Sequence, residues 1–173
     1  MNNPYLAKHI IDIPDFPKPG IIFKDISPLL ASIKARDLMI QHLIQPFQNQ
    51  KIDVVVGIES RGFLFGMLMA DALDAKFVML RKPGKLPGKI MSQEYQLEYG
   101  SDTIEMQEAA INSTDSVLIH DDVLATGGTA AAAHALIHQT GAEVLGYSFI
   151  IELDFLNGRQ LLPNKNITSV LNY

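Results

Sequence analysis

The sequence predicts an α/β fold: a parallel sheet with helices on both faces and a small hood at its N-terminal end. Three runs of mostly β-branched and aliphatic residues, at 52–58, 117–120 and 142–151, are typical of strands that are buried on both faces. Helical segments alternate with these runs, and strands that alternate with helices form parallel sheets. The hood is predicted from the prolines at 14–20, which exclude a helix or a central strand there.

The first half of the chain is predicted to contain helices at 4–11 and 35–45, the strand at 52–58 and a further helix. That strand ends in the run Glu59-Ser60-Arg61-Gly62, and the next helix covers 63–73. A strand-to-helix turn can bind an anion through backbone N–H groups. An ordinary surface turn fits the same pattern, so this run alone does not decide between the two.

The second half is predicted to begin with a strand at 76–82. A Pro/Gly-rich loop with several lysines follows at 83–89, and loops of this length are usually functional or disordered. Residues 95–100 alternate like one strand of a hairpin. The remaining elements are a strand at 117–120, a helix at 130–139, a strand at 142–151, a helical turn at 157–162 and a strand at 167–171.

Composition excludes several classes of protein. With 173 residues and 47% hydrophobic residues, we expect one domain over 1–173 with a good-sized core. A net charge of -5 argues against nucleic-acid binding, and the absence of cysteine excludes disulfide or thiolate chemistry. The first residues lack the apolar core of a signal peptide, and no apolar run is long enough to span a membrane. We therefore expect a cytoplasmic protein without a membrane partner.

The run from Val117 to Thr129 is the strongest candidate for a functional site. Asp121 and Asp122 directly follow a buried strand, and the small-residue loop Ala125-Thr126-Gly127-Gly128-Thr129 precedes an alanine-rich helix. Backbone N–H groups of such a loop, the helix dipole and the threonine hydroxyls favour a phosphate. Adjacent carboxylates suit sugar hydroxyls, so the run fits a sugar phosphate. A solvated turn followed by a plain connector also fits it, whereas a P-loop NTPase is excluded because no G-x-x-x-x-G-K-[ST] run is present.

This run, VLIHDDVLATGGT, resembles the phosphoribosyl-pyrophosphate motif of type I phosphoribosyltransferases, in the wording of members that act on adenine. Four further strings resemble the same family in the same order: FPKPGIIFKDISPLL, ESRGFLFG, RKPGKLPG and LEYG. The resemblance implies transfer of a phosphoribosyl group from phosphoribosyl pyrophosphate to adenine, giving AMP and diphosphate in purine salvage. It also implies Mg²⁺ as cofactor, a homodimer, a hood at about 1–33 and a flexible catalytic loop at about 82–105.

The resemblance also implies roles for individual residues. Main-chain groups around Phe23 and Lys24 would read adenine, and Asp121 and Asp122 would orient the ribose and stabilise its developing positive charge. Glu98 would accept or share the N7 proton of the purine. The candidates for diphosphate contacts are Glu59, Ser60, Arg61, Arg81, Lys85 and Tyr99, and the phosphate cradle would consist of Ala125, Thr126, Gly127, Gly128 and Thr129. Mg²⁺ would be held mainly by substrate oxygens and water, with no direct protein ligand. Glu59 departs from the aspartate of the family, which matters little for a backbone contact.

Other functions remain open from the sequence. A transferase for hypoxanthine, guanine or xanthine would carry an aspartate in the phosphate loop where this chain has Ala125. A regulator that senses phosphoribosyl pyrophosphate without turnover would add a DNA-binding domain, and a degenerate binding protein would lack turnover altogether. His134 and His138 have a spacing that could hold a metal, but without a third ligand an ordinary helix face is the better interpretation. His120 receives no assigned role.

Overall fold

The protein is described by a computed structural model over residues 3–96, 100–163 and 166–173. Five helices and nine strands are present in these ranges, together with short 3₁₀ turns. In chain order they are α1 (Pro4–Ala7), β1 (Ile11–Pro14), β2 (Ile22–Asp25), α2 (Ser27–Ala31), α3 (Ile33–Ile44), β3 (Val54–Ile58), α4 (Gly62–Ala72), β4 (Lys76–Leu80), β5 (Ile90–Gln96), β6 (Ser101–Gln107), β7 (Ser116–Leu124), α5 (Gly128–His138), β8 (Glu143–Glu152) and β9 (Asn166–Asn172).

A five-stranded sheet forms the centre, with the strand order β4-β3-β7-β8-β9 and every neighbouring pair parallel. All five residues of β3 are buried, as the continuous apolar run predicts for a strand that is covered on both faces. The predicted α/β class with a parallel sheet is confirmed.

Helices cover both faces of this sheet and divide the core in two. On one face, α3 and α4 pack around fully buried side chains such as Met39, Phe65 and Leu118. On the other face, α5 packs with β5 and β6 around side chains such as Ile119 and Leu136. The alanines of α5 favour a helix intrinsically and also allow close packing against the sheet. Leu118 and Ile119 are adjacent in one strand but lie in different halves of the core, because successive strand residues point to opposite faces.

The proline-rich N-terminal region forms a hood from two short antiparallel strands. Ile11–Pro14 pairs with Ile22–Asp25, and the turn between these strands contains the prolines that exclude longer regular structure. All of β1 is exposed, and the aromatic rings of Phe16 and Phe23 meet edge to face with centroids 5.1 Å apart. The hood therefore presents backbone and aromatic surface, as the sequence predicts for an extended apolar flap.

An antiparallel arm formed by β5 and β6 is the largest difference from the predicted elements. The sequence analysis expected one strand at 95–100, but β5 ends at Gln96 and β6 begins at Ser101. Gly100, between them, has a φ of 87°, a left-handed conformation that suits glycine in a turn. The arm joins the main sheet through a bridge between Arg81 and Glu105, which exchange both backbone hydrogen bonds.

In the described part of the chain, no helix is both long and apolar enough to cross a membrane. The cytoplasmic location and the absence of a nucleic-acid partner stay predictions.

Candidate active site

Asp121 and Asp122 lie inside β7, beyond the residues of that strand that pair with β3. Pairing with β3 ends at His120, whereas pairing with β8 continues to Leu124. The predicted end of the strand at His120 is therefore wrong, because one neighbour continues to hold the backbone extended. Both aspartates sit where β3 has already turned away, beside the loop that follows β3.

The two carboxylates have different surroundings because adjacent strand residues point to opposite faces. The side chain of Asp122 is only 7% exposed, and its Oδ2 atom lies 2.6 Å from Nη2 of Arg61. Asp121 lines a cavity together with the following loop, and its Oδ1 atom accepts a hydrogen bond from the N–H of Asp122 at 2.8 Å. Burial and the neighbouring charge of Asp122 raise the pKa of Asp121 well above its ordinary value. Burial also raises the pKa of Asp122, although Arg61 opposes this rise.

The loop Ala125–Thr129 forms a cradle at the N-terminus of α5, and the name phosphate cradle is used for these five residues. Gly127 precedes the helix with a φ of 83°, and its carbonyl accepts the first helical hydrogen bond, from the N–H of Ala131. All five residues line the cavity of about 60 Å³ that Asp121 also lines. A helix N-terminus with consecutive N–H groups thus faces a carboxylate across a small space, which is the arrangement that the sugar-phosphate hypothesis requires.

Glu59, in the loop after β3, collects the positive charges that the sequence analysis assigned to diphosphate. Its carboxylate accepts hydrogen bonds from Arg81 Nε at 3.1 Å, from the N–H of Lys82 at 2.8 Å and from the ammonium group of Lys85. Burial alone would raise the pKa of Glu59, but these three donors together lower it to about 2. Glu59 is therefore ionised and paired, while Ser60 beside it is exposed.

Arg61 joins this loop to the hood as well as to Asp122. Its Nη1 atom donates to the backbone carbonyl of Lys24 at 3.1 Å, and its guanidinium carbon lies 4.5 Å from the centre of the Phe23 ring. One planar cation thus contacts the strand predicted to read the base and the carboxylate predicted to orient the ribose. Lys24 directs its own ammonium group elsewhere, to Asp12 at 2.7 Å.

The arm reaches the phosphate cradle through a tyrosine that the sequence analysis did not single out. The hydroxyl of Thr129 donates to the Tyr95 hydroxyl at 3.3 Å, and the ammonium group of Lys82 donates to the same oxygen at 2.9 Å. Lys82 also forms an ion pair with Asp102 on β6, which lowers the pKa of that carboxyl. A threonine expected to bind phosphate is therefore in hydrogen-bond contact with the arm.

Comparison with known proteins identifies the family of this chain. The phosphoribosyl transferase domain family matches residues 25–171. The adenine phosphoribosyltransferase of Flavobacterium johnsoniae is 51% identical over 168 residues, which cover 97% of this chain and 99% of that protein. The chain belongs to the adenine phosphoribosyltransferase family.

Solved structures of the family have the same fold over nearly the whole chain. The adenine phosphoribosyltransferase of Rhodothermus marinus is 52% identical with a TM-score of 0.95, covering 98% of this chain and 97% of that one. The Saccharomyces cerevisiae enzyme, complexed with adenine and an imino-altritol bisphosphate, is 44% identical with a TM-score of 0.91 over 96% and 97% of the two chains. The family predicted from the motifs is confirmed, and these relatives do not favour the alternative transferases or the regulator.

Most of the predicted site residues converge at the ends of β3 and β7. Arg61 lies between the hood residues Phe23 and Lys24 on one side and Asp122 on the other. A second group, Arg81 and Lys85, gathers at Glu59. The predicted residues Glu98 and Tyr99 lie outside the described residues.

Three features next to the site were missed by sequence reasoning. The Lys82–Tyr95–Thr129 contacts were missed because a single tyrosine in a polar strand carries no signal of its own. An ion pair between Glu152 and Arg159 was missed because it depends on how the turn after β8 folds back onto the end of that strand. His120 is fully buried: its Nδ1 atom donates to the Ser148 carbonyl at 2.8 Å, and no described residue hydrogen-bonds to Nε2.

Of the two histidines considered above as a metal site, His134 packs against Tyr147 of β8, whereas His138 is exposed. Nδ1 of His134 lies 2.7 Å from the hydroxyl of Tyr147, and the two histidine rings stack with centroids 6.4 Å apart. Within the described ranges, no group of three or more His, Asp or Glu side chains is arranged to hold a metal ion.

Proposed function

We propose that the protein transfers the 5-phosphoribosyl group of phosphoribosyl pyrophosphate to adenine, giving AMP and diphosphate as a purine-salvage reaction. The observation that carries this proposal is the position of Arg61, which contacts both the hood and Asp122. A base bound by the hood and a ribose bound by Asp122 would therefore both lie beside Arg61. The names of the relatives support adenine as the base.

The phosphate cradle would hold the 5-phosphate of the donor. Its N–H groups and the start of α5 supply positive potential, and Thr126 and Thr129 supply hydroxyl donors. Tyr95 would have to share Thr129 with the incoming phosphate, since these two hydroxyls are 3.3 Å apart. Asp121, on the same cavity, is placed to accept hydrogen bonds from ribose hydroxyls.

The carboxylates would act on the charge of the reacting sugar. Loss of diphosphate from C1′ leaves an oxocarbenium-like centre, and fixed negative charge stabilises such a centre more than it stabilises the neutral ribose. The raised pKa of Asp121 means that its ionised form is under-stabilised in the unliganded protein. Positive charge that develops on the sugar would stabilise the ionised form of Asp121. The interaction between Asp121 and the sugar would therefore be stronger in the transition state than in the ground state.

Adenine would lie against the hood. Main-chain groups around Phe23 and Lys24 would pair with its hydrogen-bonding edge, because each peptide unit offers a donor and an acceptor in fixed geometry. The Phe23 ring, already packed on Arg61 and Phe16, would cover one face of the purine. Glu98 would accept or share the N7 proton so that electron density rises at N9.

The released diphosphate would be bound by the loop after β3 and by the start of the arm. Ser60 is exposed there, and Arg81 and Lys85 are within reach because both already converge on Glu59. We also propose that residues at about 82–105 act as the catalytic loop that keeps water from the reacting centre, as the sequence analysis expected. Tyr99 would belong to this loop.

Magnesium would serve the same leaving group. The described residues do not form a protein cage for a metal, and Mg²⁺ commonly needs only one or two carboxylates in addition to phosphate oxygens and water. Asp121, on the cavity, would act on the ion through ribose hydroxyls and water and not as a direct ligand. When bound, Mg²⁺ would neutralise charge on the diphosphate.

A homodimer would cover the apolar surface of α4. Leu64, Met67 and Leu68 are 45%, 54% and 37% exposed. They border a groove that Leu30 and Ile40 also line. Apolar patches of this kind on a folded domain mark interfaces. Light scattering of Met67→Glu beside wild type would test this, and an unchanged mass would contradict it.

The proposed activity is tested by supplying each purine base with phosphoribosyl pyrophosphate and Mg²⁺ and measuring diphosphate release. We expect adenine to exceed hypoxanthine by up to about 10⁴–10⁵ in kcat/KM, because a 6-oxo base leaves hydrogen-bonding groups of the hood unpaired. Comparable values for the two bases would overturn adenine as substrate. No diphosphate release with any base, by a protein that still binds the donor, would favour a binding protein.

A further inference from the structure

An ion pair between a buried glutamate and a partly exposed arginine adjoins the phosphate cradle without lining its cavity. Glu152, the last residue of β8, is 4% exposed and lies opposite Leu124, the residue just before the cradle. Nε of Arg159 donates to one carboxylate oxygen of Glu152 at 2.6 Å, and Nη2 donates to the other at 2.7 Å. Such a two-point contact fixes the orientation of both groups.

Further hydrogen bonds complete this pair. Nη1 of Arg159 donates to the carbonyl of Ile167 at 2.9 Å, and the hydroxyl of Ser169 donates to Glu152 at 2.6 Å. Both of these residues belong to β9, so the arginine ties the segment after β8 to two strands of the sheet. Each of the three guanidinium nitrogens has a partner, which is unusually complete for a side chain that is 43% exposed.

Gly158, directly before Arg159, connects the anchored arginine to the phosphate cradle because its backbone packs against the backbone of the cradle. A Cβ atom on Gly158 would lie 2.2 Å from the carbonyl oxygen of Ala125 and 3.0 Å from the nitrogen of Gly127. A Cβ atom on Gly127 would in turn lie 2.3 Å from the carbonyl oxygen of Gly158. Two backbone segments therefore touch with no side chain between them, and movement of one requires movement of the other.

We propose that Arg159, held by Glu152, is a positioning residue that fixes the backbone of the phosphate cradle through Gly158. It does not contact the substrate. Its effect is to hold the N–H groups at Ala125 to Gly127 where a phosphate ester can accept from all of them together. This inference rests on the proposed function for the identity of the donor, but it requires only that the cradle binds a phosphate ester.

The test measures binding of ribose 5-phosphate by calorimetry, which needs no turnover. Arg159→Met alone would leave Glu152 buried without its partner, which destabilises strongly. The double variant Arg159→Met with Glu152→Gln removes both charges and keeps the fold testable. We expect its dissociation constant to rise roughly ten- to hundredfold, as small misplacements of binding groups do. We expect its melting temperature to stay within a few degrees of wild type.

Two further variants separate positioning from general stability. Gly158→Ala keeps the ion pair but places a methyl group against Ala125, so it should weaken ribose 5-phosphate binding as well. Lys76→Met is the matched control, because Lys76 pairs with Asp115 at 2.7 Å at the opposite ends of the strands. That control should change melting temperature alone. Arg159→Lys, which keeps the charge but not the fork, should restore only part of the affinity.

The outcome is decided by comparison with wild type. Folded double and Gly158→Ala variants that bind ribose 5-phosphate as tightly as wild type would overturn the positioning role. Wild-type protein that binds ribose 5-phosphate but shows no transfer to adenine would overturn the proposed function and leave this inference intact. In an active enzyme, the double variant should raise KM for the donor while KM for adenine stays unchanged.

Discussion

The guanidinium group of Arg61 lies 2.6 Å from the carboxylate of Asp122 and also donates to the backbone carbonyl of Lys24. A residue in the loop after β3 therefore fixes the distance between the hood and the central strand. These contacts are separate in sequence by 37 residues on one side and 61 on the other, taken as the differences between the residue numbers 24, 61 and 122. One side chain thus connects the proposed base site with the proposed ribose site.

Replacing Arg61 by lysine should damage this arrangement, because a single ammonium group cannot donate to both partners and stack on Phe23. We expect kcat/KM for adenine to fall roughly ten- to hundredfold, which corresponds to about 1–3 kcal/mol for a lost buried partner. Steady-state kinetics with both substrates would measure it. Arg36→Lys is the matched control, since Arg36 donates to the Leu30 carbonyl away from the site. Equal activity of the Arg61→Lys enzyme and this control would contradict the prediction.

Adding a methyl group at Gly127 should be far worse than adding one at Gly128. Gly127 has a φ of 83°, and a Cβ atom there would meet the carbonyl of Gly158 at 2.3 Å. Among the described residues, a Cβ atom on Gly128 has no neighbour closer than 3.6 Å. Gly127 is therefore the glycine of this loop that cannot accept a side chain without strain. Calorimetry should show a weakened affinity of Gly127→Ala for the phosphoribosyl donor and a much smaller change for Gly128→Ala, and equal affinities would refute this distinction.

Asp121→Asn and Asp122→Asn should both lower kcat but should affect stability to different extents. At neutral pH the raised pKa of Asp121 makes its ionised form costly in the folded protein, so an amide should raise the melting temperature. Asp122→Asn relieves a similar cost of burial but deprives Arg61 of its charged partner, so its melting temperature should be lower than that of Asp121→Asn. Kinetics and calorimetric melting on the same samples check both statements. A loss confined to KM would indicate that the carboxylates bind the ribose without stabilising the transition state.

The stability of the protein should fall between pH 6.5 and pH 4 because of His120. Burial lowers the pKa of His120 from 6.5 to about 4, although its hydrogen bond to Ser148 opposes this shift. The unfolded chain therefore binds more protons in this window, and about 3 kcal/mol of stability present above pH 6.5 is lost on acidification. His120→Leu should remove this part of the pH dependence.

The comparison of His120→Leu with wild type isolates the histidine from other titrating groups. Asp121 and Asp122 have raised pKa values and act in the opposite direction, while Glu59, with a pKa of about 2, acts mainly below pH 4.5. Urea denaturation at several pH values would give the difference in unfolding free energy. Parallel curves for the two proteins would show that His120 is protonated in the folded state as easily as in the unfolded chain.

Glu98→Gln should slow the chemical step by roughly 10²–10⁴-fold if the carboxylate handles the N7 proton of adenine. The affinity for the phosphoribosyl donor should hardly change, because the phosphate cradle and the Arg61 loop are proposed to hold it. Single-turnover formation of AMP, measured beside donor binding, distinguishes these effects. A variant as fast as wild type would remove Glu98 from the mechanism.

Much of the fold could be predicted because buried strands require continuous apolar runs. The run at 52–58 contains β3, whose buried residues show that pattern directly. The arm could not be predicted in the same way, since the residues of β5 alternate between exposed and half-buried without a strong apolar face. Packing against α5 and the bridge from Arg81 to Glu105 hold that arm, and both depend on tertiary structure.

The candidate site, like the fold, could be predicted from the sequence only in part. Residues that are contiguous in sequence, such as Asp121 and Asp122, could be found because a strand, an acidic pair and a small-residue loop follow one another. Partners that only the folded backbone brings together could not be found, and the contact of Arg159, in a 3₁₀ turn, with Glu152 at the end of β8 is one such case. The pairing of Arg61 with Asp122 likewise requires the relative placement of β3 and β7.

The carboxylate of Glu59 has a consequence for how a polyanion can enter this protein. Since Glu59 already neutralises Arg81 and Lys85, arrival of diphosphate at these cations would be an exchange of one anion for another. The affinity for diphosphate would then equal the difference between the pairing of these cations with diphosphate and their pairing with Glu59. Binding would also displace fewer small counterions than binding at cations that have no carboxylate partner. The same exchange would work in reverse at the end of a turnover, when the carboxylate competes with the departing product for its former partners.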